Sequence, residues 1–270
     1  MGGEHVIVTG GTTGSGRAIV RLLSENKCSV SLLGRHRSPE VEEDLPGLRF
    51  YLADLSDVQG TRVALEQCLA ERGKVTHLVF YQRYRGLGNE WHGELQVSLT
   101  ATKEIIELCA DRFDGAGSNA IVVISSVASH FIHEEQGIGY HVAKAAVNQM
   151  VRYLAVALGP RGIRVNCVSP ATLVKEESRE FYCSHAELRE LYDSVIPLRR
   201  MGTSEDVAKV VEFLCSASAS FITGQEIVVD GGLSLVGHAS LARRLARLDG
   251  LKVTRSGSMA TEVELSGGRL

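Results

Sequence analysis

Short apolar runs rich in Val, Ile and Leu recur along the chain at 5–9, 28–33, 48–52, 75–81, 119–125, 163–168 and 226–230. Between them, at 14–26, 57–72, 91–113, 138–159 and 204–216, apolar residues return every three or four positions. The short runs predict buried strands and the longer period predicts amphipathic helices, in strict alternation. Parallel neighbours in a sheet need a crossover, usually a helix, so the alternation predicts an α/β fold with a doubly wound parallel sheet of Rossmann type. Composition shows no break before residue 236, which predicts a single domain over 1–236 and a C-terminal extension over 237–270. In the extension, the leucines of Leu241-Ala-Arg-Arg-Leu-Ala-Arg-Leu248 return with helical spacing and predict a short amphipathic helix that docks on the body or on a neighbouring subunit. Residues 254–270, rich in Gly, Ser and Thr, predict disorder.

Ligands of open parallel sheets bind beyond the carboxyl ends of the strands, and the first such end carries glycines. The run Val6-Ile-Val-Thr9 is followed by Gly10-Gly-Thr12-Thr-Gly14-Ser15-Gly16 and then by a helical stretch from Arg17. Strand, glycine turn and helix in that order predict a nucleotide site, because a pyrophosphate must approach free N–H groups at a helix N-terminus without meeting side chains. The next strand ends in Gly34-Arg35-His36-Arg37, with no Asp or Glu to hold the ribose hydroxyls of NAD. A guanidinium at that point suits a 2′-phosphate through charge-assisted hydrogen bonds, so Arg35 and Arg37 predict NADP in preference to NAD.

Farther along, Tyr140-His-Val-Ala-Lys144 puts a phenol and an ammonium one helical turn apart on the same face. A tyrosine titrates near pH ~10 and becomes an effective acid at neutral pH only when a cation beside it favours the phenolate. Lys144 has the spacing to be that cation.

Taken together, these pieces make residues 6 to about 235 resemble the classical short-chain dehydrogenase/reductase family. Thr9-Gly10-x-x-x-Gly14-x-Gly16 is similar to that family's cofactor loop, Asp54-Leu55 to its adenine-contacting pair, and Ile124-Ser-Ser126 with Tyr140 and Lys144 to its catalytic set. Arg164-Val-Asn-Cys-Val-Ser-Pro170 resembles the strand and turn that receive the nicotinamide, and Ile222 to Gly232 the closing strand. The resemblance implies a ketone reductase in which Tyr140 protonates the carbonyl oxygen, Lys144 lowers the Tyr140 pKa and holds the nicotinamide ribose, and Ser126 holds the carbonyl. It implies cofactor contacts at Gly10, Thr12, Gly14, Ser15, Gly16, Arg35, Arg37, Asp54, Leu55, Tyr140, Lys144, Pro170 and Leu173. A homotetramer follows as well, because the family pairs its subunits through the helices at 91–113 and 138–159 and through the closing strand.

Four departures mark the chain. Where the family carries Asn-Asn-Ala-Gly after its fourth strand, this sequence reads Phe80-Tyr81-Gln82-Arg83, so Gln82 and Arg83 either turn away or meet the cofactor themselves. Ser98 stands where the family has an Asn that holds a water in the proton relay, and a serine offers one donor and no carbonyl. Ala171 follows Pro170 in place of a glycine, which requires φ below zero. Ser126 and Tyr140 lie fourteen positions apart, one more than the family pattern. The catalytic set itself is intact, which favours an active enzyme over the alternative, a pseudoenzyme that keeps the fold for nucleotide sensing or scaffolding.

Composition narrows the remaining choices. The six cysteines contain no C-x-x-C pair and predict reduced core thiols. With no charged-then-apolar leader and no apolar run near eighteen residues, the sequence predicts a soluble cytoplasmic protein, and a net charge of −3 gives no reason to expect nucleic acid. His130, His133, Glu134 and Glu135 match no zinc spacing and predict a polar rim to the site; no metal is expected. Phe181, Tyr182 and His185, in a polar stretch from Lys175 to Ile196, are candidates for the substrate pocket. Arg83 and Arg85 suit an anionic or carrier-bound acyl substrate, with steroid, sugar and quinone ketones as other options.

Overall fold

The computed structural model describes residues 3–37, 45–115 and 118–248. Within these, strand β1 (His5–Thr9) leads through helix α1 (Gly14–Glu25) to β2 (Ser29–Gly34), and β3 (Leu48–Leu52) through α2 (Val58–Arg72) to β4 (His77–Phe80). A helix of three parts follows: α3 (Glu90–Glu94), a π-helical turn (Leu95–Thr100) and α4 (Ala101–Cys109). Then come β5 (Ala120–Ile124), α5 (Ile138–Leu158) and β6 (Arg164–Pro170). A two-stranded ribbon, β7 (Leu173–Val174) with β8 (Gly202–Thr203), brackets α6 (Arg179–Ser184) and α7 (Ala186–Val195). The chain continues through α8 (Ser204–Cys215) and β9 (Glu226–Val229) to α9 (His238–Leu245).

Seven strands pair in the order β3-β2-β1-β4-β5-β6-β9, every pair parallel. The expected doubly wound sheet is therefore the observed one. Because helices cover both faces, the central strands carry apolar residues at nearly every position, and β1, β4, β5 and β6 are buried along their whole length. One core cluster, including Leu65, Ile105, Ile106 and Val151, fills the face under α2, α4 and α5. The other, including Ile19, Leu23, Val207 and Val211, fills the face under α1 and α8.

The sequence predicts one unbroken helix over 91–113, and the π-helical turn corrects that expectation. Thr100 Oγ1 donates to the carbonyl of Leu95, five residues back, at 3.4 Å. An extra residue per turn rotates the following positions without breaking the helix, and such bulges cluster at functional sites. The cysteines also need one correction: Cys28, Cys68, Cys109, Cys167 and Cys215 are buried, but Cys183 is exposed. No helix among the described residues is long and apolar enough to cross a membrane.

The helix expected at 241–248 forms three residues earlier, as α9, and docks on its own chain. Leu241 packs against a small cluster of Val195, Ile196 and Met201, and Arg244 donates to the Ser194 carbonyl at 3.3 Å. Residues 254–270, expected to be disordered, lie outside the described residues.

Candidate active site

At the carboxyl ends of β1, β2, β4, β5 and β6 lies a cavity of about 740 Å³. Its nucleotide end starts at the glycine turn. Gly10 and Gly14 have φ of +73° and +56°, in the left-handed region that favours glycine. Added Cβ atoms at Gly10 and Gly16 would stand 2.5 Å from the Gln82 backbone nitrogen and 2.1 Å from the Gly10 carbonyl oxygen. Gly10 thus permits close approach of β4, and Gly16 seats α1 on the turn; Gly10, Thr12, Gly14 and Ser15 line the cavity, whereas Gly16 packs behind it. Thr13, the N-cap of α1, makes no side-chain cap bond, and the Glu177 carboxylate lies beside the first residue of the helix, 2.8 Å from where a Cβ at Gly14 would stand.

Arg35 lines the cavity, but Arg37 leaves it: its guanidinium lies over the Phe50 ring at 5.6 Å. Asp54 and Leu55 line the same end. Burial pushes the Asp54 carboxyl up, but the Ser56 amide and hydroxyl, which donate to it at 2.9 and 2.7 Å, hold it below the usual carboxylate range, helped by Arg35 and His36. Glycine turn and helix N-terminus at one end of the cavity fit a nicotinamide dinucleotide.

At the other end, β5 delivers Ser126 and α5 delivers Tyr140 and Lys144, all lining the cavity. Ser126 Oγ accepts the Ala128 N–H at 3.1 Å, which leaves its own proton to donate. Lys144 is buried, and its Nζ donates to the Ile124 carbonyl at 2.8 Å and lies 5.6 Å from the Tyr140 ring centroid. Burial pushes the Lys144 ammonium down to about 8; Glu94 pulls it up, and Arg83 pushes it down. Ser125 Oγ ties β5 to this helix by donating to the Lys144 carbonyl at 3.1 Å. Pro170 and Leu173 close the cavity from β6 and β7, and Ala171 keeps φ out of the positive range, as its methyl group requires.

Gln82 and Arg83 behave differently from each other. The Gln82 amide turns inward, where it accepts from the Thr9 hydroxyl and donates to Thr102 Oγ1 at 2.7 Å and the Val97 carbonyl at 3.2 Å. It braces β1 and β4 against the three-part helix. Arg83 turns into the cavity, with its guanidinium carbon 4.6 Å from the Tyr140 ring centroid and Nη2 donating to Gln136 Oε1 at 3.1 Å. Ser98 is buried behind the wall and donates to Glu94 Oε2 at 3.0 Å.

Of the loop histidines and acids, His133 and Glu135 line the cavity, whereas His130 leaves it to pair with Glu226 at 2.8 Å. Tyr182 lines the cavity, but Phe181 is half exposed and stacks on His185 at 4.3 Å. Sequence reasoning missed three groups: Glu90, which accepts the N–H groups of Gly139 and Tyr140; Glu94; and Lys175, which lines the cavity with Arg83 and Arg85. The acids sit at ordinary helical positions in the sequence, so only packing reveals them.

The chain is similar to known proteins over most of its length. Residues 10–234 match the family model described as enoyl-(acyl carrier protein) reductase. The chain is 31% identical over 245 residues to the 3-oxoacyl-[acyl-carrier-protein] reductase FabG of Chlamydia pneumoniae, covering 86% of this chain and 97% of that one. It is 28% identical over 253 residues to a glucose 1-dehydrogenase of Gluconobacter oxydans, covering 87% and 93%. Among solved structures, a short-chain type dehydrogenase/reductase from Mycobacterium ulcerans superposes with a TM-score of 0.74 at 28% identity, over 87% of this chain and 92% of that one. The aldohexose dehydrogenase of Thermoplasma acidophilum gives 0.76 at 26% identity, over 88% and 96%. The protein belongs to the short-chain dehydrogenase/reductase family, whose members are oxidoreductases that use a nicotinamide cofactor to interconvert alcohols and carbonyls.

Proposed function

We propose that this protein is an NADPH-dependent ketoreductase with a Ser126-Tyr140-Lys144 site. The observation that carries the reading is that these three residues line the same cavity as the glycine turn and Arg35. When bound, the reduced nicotinamide supplies the hydride. Tyr140 Oη gives its proton to the carbonyl oxygen as that oxygen becomes negative, and Ser126 Oγ donates a second hydrogen bond to the same atom. Lys144 has three donors, one engaged by Ile124, which leaves two for the phenol and the cofactor ribose. Ser98, with Glu94, stands behind this set as its buried polar support.

The preference for NADPH rests on Arg35 in the cavity and on the absence of an acid after β2. For the substrate, Arg83, Arg85 and Lys175 bring three cations to the cavity, which favours a ketone bearing an anion, such as a carrier-bound or free β-ketoacyl group. The similarity to an acyl-carrier-protein reductase points the same way. A homotetramer in the cytoplasm completes the reading. It is supported by the exposed apolar residues Val142, Tyr153 and Val156 on α5 and by Val228 on the edge strand β9.

The test is NADPH consumption with three substrates: a β-ketoacyl thioester bearing a phosphopantetheine arm, an uncharged cyclic ketone and an aldose. Preferential turnover of the thioester supports the full reading. Turnover of the aldose or the neutral ketone alone removes the anionic substrate, and tight cofactor binding with no turnover of any carbonyl removes the enzyme.

A further inference from the structure

Glu94 is 1% exposed, and among the described residues no other carboxylate is so buried. A buried carboxylate is costly unless cations and hydrogen bonds surround it. Those of Glu94 are Arg83 and Tyr84, which line the cavity, and Ser98 behind its wall. Ser98 Oγ donates to its Oε2 at 3.0 Å, the Tyr84 N–H points to the same oxygen at 3.4 Å, and Arg83 Nε stands 3.8 Å from Oε1. The Arg83 Nε has no hydrogen-bond partner, so the carboxylate is the group that compensates its burial.

Two cations face the Tyr140 ring, with Arg83 Cζ at 4.6 Å and Lys144 Nζ at 5.6 Å from its centroid. Like charges so placed repel, and a desolvated lysine under that pressure gives up its proton. A neutral amine cannot steady a phenolate. The only proton of the Ser98 hydroxyl is committed to Glu94, so Ser98 acts here through the carboxylate rather than as a donor to water.

We propose that Glu94 is the counter-charge to the two cations at the Tyr140 ring, a positioning residue that seats Arg83 against Tyr140, with Ser98 fixing its carboxylate. The proposal rests on the assignment of Tyr140 and Lys144 as the acid-base pair. Lys144 lies over the Tyr140 ring on α5, and the charged or titratable groups whose fields reach it come from three further segments: Glu94 on α3, Arg83 after β4 and Cys167 on β6. Burial pushes the Cys167 thiol up to about 12, so it stays neutral and leaves Glu94 as the negative charge that opposes Arg83.

The experiment titrates Lys144 itself, in the full chain carrying a carbon-13 label at the lysine ε-carbon, followed by NMR with neither cofactor nor substrate. Lys144→Met identifies the resonance, and thermal melting confirms that each variant is folded. Lys144 should titrate with a midpoint of about 8. Glu94→Gln, which keeps the shape and a hydrogen-bond acceptor but removes the charge, should lower that midpoint by more than ~0.5 unit, and Arg83→Met should raise it. A smaller fall in Glu94→Gln, or a rise, overturns the proposal. A wild-type midpoint below about 7 overturns it with no variant at all, since Lys144 would then be neutral at working pH. Because no turnover is read, a failure here is distinct from a failure of the ketoreductase assignment.

Discussion

The Glu90 carboxylate accepts the backbone N–H of Tyr140 at 3.0 Å and that of Gly139 at 3.2 Å. These are orphan donors of the first turn of α5, whose N-cap, Gly137, has no side chain to satisfy them. Side chains at 137 or 139 would collide with the carboxylate: added Cβ atoms would lie 2.6 and 2.9 Å from it. Glu90 therefore fixes the start of the helix that carries Tyr140 and Lys144. Glu90→Ala should lower stability by about 1–2 kcal/mol, the usual worth of a charged cap at a partly buried helix start. Thermal melting reads the effect. An unchanged melting temperature would show that water replaces the carboxylate without loss.

Tyr140→Phe should abolish nearly all turnover and leave NADPH affinity within a few fold, because the hydroxyl acts on the transition state more than on the bound cofactor. The ring contacts with Arg83 and Lys144 survive the change, so the site should keep its shape. Steady-state rates and a cofactor titration by fluorescence decide it. Retained turnover sinks the assignment of the acid.

NADPH should bind at least ~10-fold more tightly than NADH, and Arg35→Ala should remove most of the difference. Arg37→Ala should change it little, since Arg37 lies over Phe50 and outside the cavity. Equal affinities for the two cofactors in the wild-type protein would refute the preference.

Lys144 gives the site a pH dependence with a definite sign. Its ammonium is pushed from 10.5 down to about 8 by burial, so it is charged below that pH and neutral above. NADPH affinity should therefore weaken as pH rises through about 8, and Lys144→Ala should flatten that limb and also slow turnover. Stability runs the other way. Between about 8 and 10.5 the unfolded chain holds a proton at Lys144 that the folded protein has lost, so this group adds stability as pH rises through that window. Fluorescence titrations at a series of pH values give the first trend, and denaturant melts comparing wild type with Lys144→Met give the second.

Light scattering should give the mass of a tetramer, and Val156→Asp, on the exposed face of α5, should reduce it without loss of the folded helix signal. Truncation after Val236 should leave the assembly in place, because α9 packs on its own chain through Leu241 and Arg244. A monomeric wild-type protein defeats the first expectation, and a dissociated truncation the second.

The order of strands and helices, the glycine turn and the Tyr140-Lys144 pair were legible in the sequence because each depends on local rules. Buried parallel strands must be apolar throughout, a phosphate-binding turn excludes side chains, and two residues four apart on a helix share a face. The same rules pointed to Arg35 at the end of β2, whereas Ser126 follows only from the resemblance to a known family. Tertiary structure decided what depends on distant partners. The π-helical turn within 95–100 has no marker in the sequence, and neither has the division between Gln82, which turns into the core, and Arg83, which turns to Tyr140. Arg35 and Arg37 look alike in sequence, yet the ring of Phe50 on the neighbouring strand holds one of them outside the cavity. Glu90 and Glu94 read as ordinary helix acids until packing places one on the α5 N-terminus and buries the other beside Ser98 and Arg83. Periodicity reports which face of an element is buried, whereas the charge environment of a buried lysine such as Lys144 is set by side chains that approach from other segments, and only the folded chain brings those together.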